Sequence, residues 1–211
     1  MALTLYGSPL SPYVRAVRVA LSEKTVEHEV VPIGPSELQA PDYTKHHPFR
    51  KLPYLDIDGT SLFETSAILH FIDEAYESGS TLQPSDPLER AYSEQWMSAA
   101  NSYLYPDAFT DFFFQIALAP HFGIPVDENR ISASAERLSH HLSALTGGLK
   151  AKTLGASTMP TLGDILAAAI MMPLLEIEQG QALLKDAPLF AAWLNDLSER
   201  HSFQSTGPEI Q

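Results

Sequence analysis

No cysteine occurs among the 211 residues, and that one absence removes several chemistries together. A thiolate nucleophile, a CxxC redox centre and a cysteine-ligated zinc all need side chains this chain does not have. Any thiol chemistry must be brought in by a ligand. Basic residues are also scarce: 13 Lys and Arg stand against 26 Asp and Glu, a formal net charge of -13. Such a surface repels a phosphate backbone, so no nucleic-acid partner is expected, and the charge itself serves solubility. Long apolar runs are missing too. The longest mainly apolar stretch, Ile165 to Leu175, falls well short of the ~20 residues that cross a bilayer, and Pro173 interrupts it, so no membrane association is expected. Met1 to Tyr6 lack the basic and apolar regions of a secretory leader, which makes the cytoplasm the expected location. What is present, 45% hydrophobic residues, can fill the core of one large domain or two small ones.

The first third mixes strand and helix signals. Leu3 and Leu5 alternate with Thr4 and Tyr6, and Gly7-Ser8-Pro9 breaks the run. Ser11-Pro12 then supplies a helix cap followed by proline at the first helical position, where its missing N–H costs nothing. Val14, Val17 and Leu21 share one face of that helix, with Arg15 and Arg18 off it. Val26 to Ile33 reads as a second strand, and Gly34 to Pro48 as a long loop. Pro53 to Ile57, Asp58-Gly59 and Ser61 to Phe63 form a hairpin around a turn dipeptide that tolerates positive φ. A helix follows directly after Glu64-Thr65, with Ile68, Leu69, Ile72 and Tyr76 on one face. Residues 79–86 have linker composition, and beyond them strand signals cease. Helical periodicity covers Leu88 to about Leu118, Asp127 to about Lys150, Thr161 to about Glu178 and Pro188 to about Arg200; the tail after His201 reads as irregular surface. The expected division is residues 1–78, a linker at 79–86, and an all-helical domain at 87–211.

Taken in order, Ser11-Pro12-Tyr13-Val14-Arg15, Pro48-Phe49-Arg50-Lys51-Leu52-Pro53, Phe63-Glu64-Thr65-Ser66-Ala67-Ile68 and Thr161-Leu162-Gly163-Asp164 resemble the glutathione transferase family, over nearly the whole chain. The serine-type members, phi, tau and their bacterial relatives, look most similar. The resemblance implies an α+β/all-α two-domain protein: a thioredoxin-like βαβ-ββα N-terminal domain with an all-helical C-terminal domain, assembled as a homodimer. It implies glutathione as co-substrate, with no metal; His140-His141 has no further ligand pattern nearby.

By residue type alone Ser11 is a good helix cap. The resemblance makes it the catalytic residue, a hydroxyl donor to the glutathione thiolate, and the physics allows it. A cysteine thiol ionises near ~8.5, and a hydrogen bond plus amides at a helix start favour the anion. Tyr6 and Tyr13 are rival thiol partners, since some classes use tyrosine, but neither stands at the Ser-Pro helix start. Leu52-Pro53 resembles the family's cis-proline pair, in which the residue before proline pairs its backbone with the cysteinyl part of glutathione. As a bare dipeptide X-Pro is cis in only ~5% of cases, so an ordinary trans proline opening a strand is the local alternative. Glu64 and Thr65, at a helix start receptive to a carboxylate, would take the ligand's ammonium and γ-glutamyl carboxylate; an ordinary cap is the compatible local reading. At the glycyl end the resemblance offers Lys51 and Gln39. It departs from the family at His47, where relatives often have Asn.

Thr161 and Asp164 are a capping box with a structural role. For the electrophile pocket, expected between the domains, the residues are Leu10 and Pro12 by position, and Phe113 and Tyr105 from the aromatic segment Tyr103 to Phe114. Three consecutive phenylalanines cannot share one helix face. The expected reaction is conjugation, thiolate attack on a hydrophobic electrophile, with hydroperoxide reduction as a natural side activity. A glutathione-dependent isomerase or dehalogenase is the alternative enzyme class, and a non-catalytic ligand- or protein-binding member is the alternative function class. Disulfide reduction through a mixed disulfide is disfavoured by the absence of cysteine.

Overall fold

The structure is a computed structural model and describes residues 2–207. The chain divides into two compact units, one formed by residues up to Leu82 together with the segment from His201 onward, the other by Gln83–Arg200.

In the first unit, β1 (Leu3–Gly7), α1 (Pro12–Glu23) and β2 (Glu29–Pro32) form a βαβ crossover, so β1 and β2 are parallel. β3 (Tyr54–Ile57) and β4 (Thr60–Phe63) form the hairpin, with both Asp58 (φ 49) and Gly59 (φ 88) in the left-handed region that its two-residue turn requires. Among the described residues this gives a four-stranded sheet in the order β2-β1-β3-β4, antiparallel at β1-β3 and β3-β4. α3 (Thr65–Ala75) packs beside α1. Leu3, Leu5 and Leu55 from the sheet are buried with Val14, Val17, Leu21, Ile68, Leu69 and Ile72 from the helices. Each such side chain contributes about 1.5–3 kcal/mol on burial. Gly7 lets α1 approach the sheet, because a Cβ there would lie 2.3 Å from Val14 Cγ2. This is the thioredoxin-like arrangement the resemblance implied.

Three local expectations are corrected in this unit. The second strand begins at Glu29, not Val26, because Thr25 takes φ 52 and Val26 N–H still bonds the Leu21 carbonyl, so the chain is still leaving α1. The expected loop contains α2 (Pro35–Gln39) and a 3-10 turn (Pro41–Lys45); Pro35 opens α2, and Glu37 accepts from Gly34 N–H at 3.2 Å. The tail is not irregular surface. It forms α10 (His201–Gln204), whose Phe203 is fully buried and which packs on α1, so it joins the first unit and not the helical one.

In the second unit α4 (Pro87–Ala99), capped by Asp86, runs into a widened π-type helix, Ala100–Leu118, that contains Pro106 and ends in the short turn α5 (Ala119–His121). α6 (Glu128–Ala151), α7 (Leu162–Met171), α8 (Glu178–Lys185) and α9 (Pro188–Ser198) follow. The single helix expected from Thr161 to Glu178 is broken: beyond α7 a 3-10 turn (Met172–Glu176) carries Pro173, whose ring and missing N–H end the α-helical ladder. All of α7 is buried, and it is the core of the unit. Gly163 permits this, since a Cβ would lie 2.5 Å from the Ser93 carbonyl oxygen.

Candidate functional site

Strand register gathers the candidate glutathione residues. Tyr6 pairs with Tyr54 and Tyr54 with Phe63, so the end of β1, the start of β3 and the end of β4 lie in one row. Gly7 pairs with Pro32, which brings the end of β2 to the same edge. Ser11 follows β1, Leu52-Pro53 precede β3, Glu64-Thr65 follow β4, and the segment holding Gln39 and Lys51 departs from β2. Residues far apart in sequence therefore converge on one end of the sheet.

Ser11 is the N-cap of α1, with extended backbone at φ -80 and ψ 124. Its Oγ accepts Val14 N–H at 3.4 Å, a long cap bond. Among the described residues its hydroxyl proton is donated to nothing, which leaves it for an acceptor outside the helix. Leu10 is half-buried in the turn closed by Ser11 N–H on the Ser8 carbonyl, at 3.0 Å, and Pro12 is buried. Of the rival tyrosines, Tyr6 is engaged in a stack with Tyr54, ring centroids 4.5 Å apart.

The Leu52-Pro53 bond is cis. Among the described residues the Leu52 backbone N–H and C=O have no hydrogen-bond partner. Glu64 caps α3 with φ 72, an uncommon conformation for a residue with a Cβ, and such residues cluster at functional sites. Its side chain is exposed, while Thr65, the first residue of α3, is buried. α1 carries no acidic side chain at its cap or in its first turn, so its positive end is left for an anion, whereas α3 has the Glu64 carboxylate at its cap.

From residues 34–51, Tyr43 and His46 pack on Tyr54, which stacks with Tyr6. His46 stacks on Tyr54 at 4.9 Å and bonds Ser61 Oγ through Nδ1 at 2.8 Å. Tyr43 packs edge-on against Tyr54 and donates its hydroxyl to the Lys51 carbonyl at 2.7 Å. Burial pushes both Tyr43 and Tyr54 up to about 12, so both remain protonated donors at neutral pH. The Lys51 and Gln39 side chains are exposed. Sequence reasoning missed Arg50, whose Nη1 donates to the carbonyls of Leu38 at 3.2 Å and Ala40 at 3.1 Å. No pattern in the sequence marks it, because its partners lie 12 and 10 residues away.

Within the second unit, Tyr105 and Phe113 belong to one aromatic ladder on the widened helix. Phe109 lies between them, with centroids 5.4 Å from Tyr105 and 5.8 Å from Phe113. Burial raises the Tyr105 hydroxyl above its ordinary value. Phe112 is buried away from that ladder and Phe114 is half-buried, so the three phenylalanines are divided as helix geometry demands. Among the described residues no cluster of His, Asp or Glu could hold a metal ion, and no helix is long and apolar enough to cross a membrane.

The family model for the glutathione S-transferase N-terminal domain matches residues 5–84. A glutathione S-transferase of Hyoscyamus muticus is 30% identical over 207 residues, covering 95% of this chain and 95% of the relative. Glutathione S-transferase F10 of Arabidopsis thaliana is 31% identical over 208 residues, covering 97% of this chain and 95% of its own length. Among solved structures, glutathione transferase F2 from Populus trichocarpa superposes with a TM-score of 0.88 at 30% identity, covering 97% of this chain and 96% of that one. Sequence likeness over the full length and the shared architecture lead to one conclusion: this chain belongs to the glutathione S-transferase family.

Proposed function

We propose that the enzyme binds glutathione across the end of the first unit's sheet, holds its sulfur as a thiolate through the Ser11 hydroxyl, and joins it to a hydrophobic electrophile. The observation that carries this reading is the state of Ser11: its oxygen accepts the helix N–H of Val14 while its proton has no acceptor among the described residues. A hydroxyl so placed donates to an anion and does not act as a base. Lowering a thiol pKa by ~2 units requires about 2.7 kcal/mol of preferential anion stabilisation, within reach of one hydroxyl donor and the amides of a helix start.

The rest of the site divides along the ligand. The Leu52 N–H and C=O pair with the cysteinyl backbone, Thr65 receives the γ-glutamyl carboxylate at the start of α3, and Glu64 faces the ammonium. Lys51 and Gln39 take the glycyl end. Leu10 and Pro12, beside Ser11 in the first unit, supply apolar surface for the electrophile. The sulfur lone pair forms the new carbon–sulfur bond, and the electrophile's leaving group departs with the displaced electron pair. The same thiolate attacking a hydroperoxide oxygen would break the O–O bond and release the alcohol, and a second glutathione would convert the resulting glutathione sulfenic acid to glutathione disulfide and water.

The test is the ultraviolet absorbance of bound glutathione thiolate against pH, in the wild type and in Ser11→Ala. The wild type should hold the thiol about two units below its free value, and the variant should return it most of the way. An identical bound pKa in both proteins would refute the role of Ser11. A wild type that retains no glutathione would refute the whole reading. Turnover with aryl halides and with organic hydroperoxides then separates conjugation from reduction.

A further inference from the structure

The turn leading into Lys51 is made by an arginine in a conformation suited to glycine. Arg50 has φ 50, in the left-handed region that a Cβ disfavours. Its N–H closes a turn on the His47 carbonyl at 3.0 Å. Glycine would adopt this backbone without strain. The arginine side chain offsets the conformation by what it reaches: a single nitrogen, Nη1, donates to the carbonyls of Leu38 and Ala40 at 3.2 and 3.1 Å. Those two residues flank Gln39. Lys51 follows Arg50 directly, and its carbonyl is pinned by the Tyr43 hydroxyl at 2.7 Å. One guanidinium thus ties the backbone on both sides of Gln39 to the residue preceding Lys51. Arginine stays charged at every accessible pH, so the tie does not loosen with titration.

We propose that Arg50 is the positioning residue for the glycyl end of glutathione, fixing the separation of Gln39 and Lys51 so that the enzyme prefers glutathione to γ-glutamylcysteine, which lacks the glycine. The proposal rests on the glutathione reading above. Arg50 itself does not touch the ligand; it acts through the placement of the two residues beside it. Both side chains are exposed, on α2 and on the chain after the His47 turn.

The experiment compares binding and turnover of glutathione and γ-glutamylcysteine by the wild type and Arg50→Gly. Glycine accepts the backbone at this position, so thermal unfolding should show the variant folded. The wild type should favour glutathione by about tenfold, equivalent to one good polar anchor at ~1.4 kcal/mol. In Arg50→Gly the KM for glutathione should rise about tenfold while kcat stays within about twofold, and the constants for γ-glutamylcysteine should not move. Equal losses for both thiols would reduce Arg50 to a structural residue and overturn the proposal. So would an unchanged KM, or a wild type that does not distinguish the two thiols. Failure of the underlying reading looks different: the wild type would bind neither.

Discussion

His47 is 1% exposed, and its Nδ1 is buried without a hydrogen-bond partner among the described residues. Its ring lies against Phe63, centroids 5.0 Å apart, with Phe49 at 6.4 Å. Burial lowers its pKa below the ordinary 6.5, with the Glu64 carboxylate opposing and Lys51 adding to the effect. The unfolded chain takes up a proton near 6.5 and the folded chain only at lower pH. The stability this residue contributes is complete above that value and is lost as pH falls through the window below it. His47→Phe should remove that part of the acid sensitivity, read as the change in thermal midpoint between about pH 8 and about pH 5.5. An equal acid shift in both proteins would show that His47 is not its source. Arg50, three residues on, pays about 1 kcal/mol for its left-handed backbone. Neither role was legible in the sequence, since a side chain's burial and a backbone's φ are set by partners outside the local segment. Ser11, Glu64 and Thr65 were legible because a helix start writes its signature in adjacent residues.

Among the elements, α7 shows a motif read from four residues and finished by a fifth. Thr161 Oγ1 accepts Asp164 N–H at 3.2 Å, and Asp164 Oδ2 accepts Thr161 N–H at 2.9 Å, which completes the capping box. Asp164 Oδ1 also accepts Gly155 N–H at 2.8 Å, a bond to the preceding loop that no spacing rule announces. Burial raises the pKa of this carboxyl against the N–H donors of Thr161 and Gly155, which favour the anion. Asp164→Ala would leave those donors unsatisfied inside a buried helix start. The expected cost is on the order of 3 kcal/mol, measured by urea unfolding; a loss under about 0.5 kcal/mol would contradict the structural role. The widened helix teaches the opposite lesson. Its apolar pattern reads as an ordinary helix, and the four-residue spacing of Tyr105, Phe109 and Phe113 already places them on one face; what the pattern does not announce is the wider turn itself.

On the scale of the whole molecule, the segment around α10 belongs to the first unit and not to the helical one that precedes it in sequence. Arg15 and Arg18, read as the polar face of α1, are its attachment points. Arg15 Nη2 donates to the Phe203 carbonyl at 3.2 Å and its guanidinium lies 5.9 Å from the Phe203 ring centroid. Arg18 Nη2 donates to the Ser205 carbonyl at 3.3 Å, and Ser202 Oγ donates to Glu23 Oε1 at 2.6 Å. Phe203→Ala should therefore destabilise the protein by about 3–5 kcal/mol, the usual cost of emptying a buried phenylalanine site. Circular dichroism melting of the purified variant checks this, and an unchanged midpoint would mean that the chain end is dispensable to the fold.

By itself the sequence determined which chemistry is open and where the local elements begin. The absence of cysteine forces any thiol to come from a ligand, and Ser11-Pro12, Asp58-Gly59 and Glu64-Thr65 each fix a cap or turn through neighbours in the chain. Tertiary structure decided how these pieces meet. Register between β1, β3 and β4 brings Ser11, Leu52 and Thr65 to one end of the sheet, Arg50 reaches across to α2, and α10 closes on α1. The reason is physical: capping and turn energies act over three or four residues, whereas strand pairing, buried side chains and a guanidinium clamp depend on segments that only folding brings together.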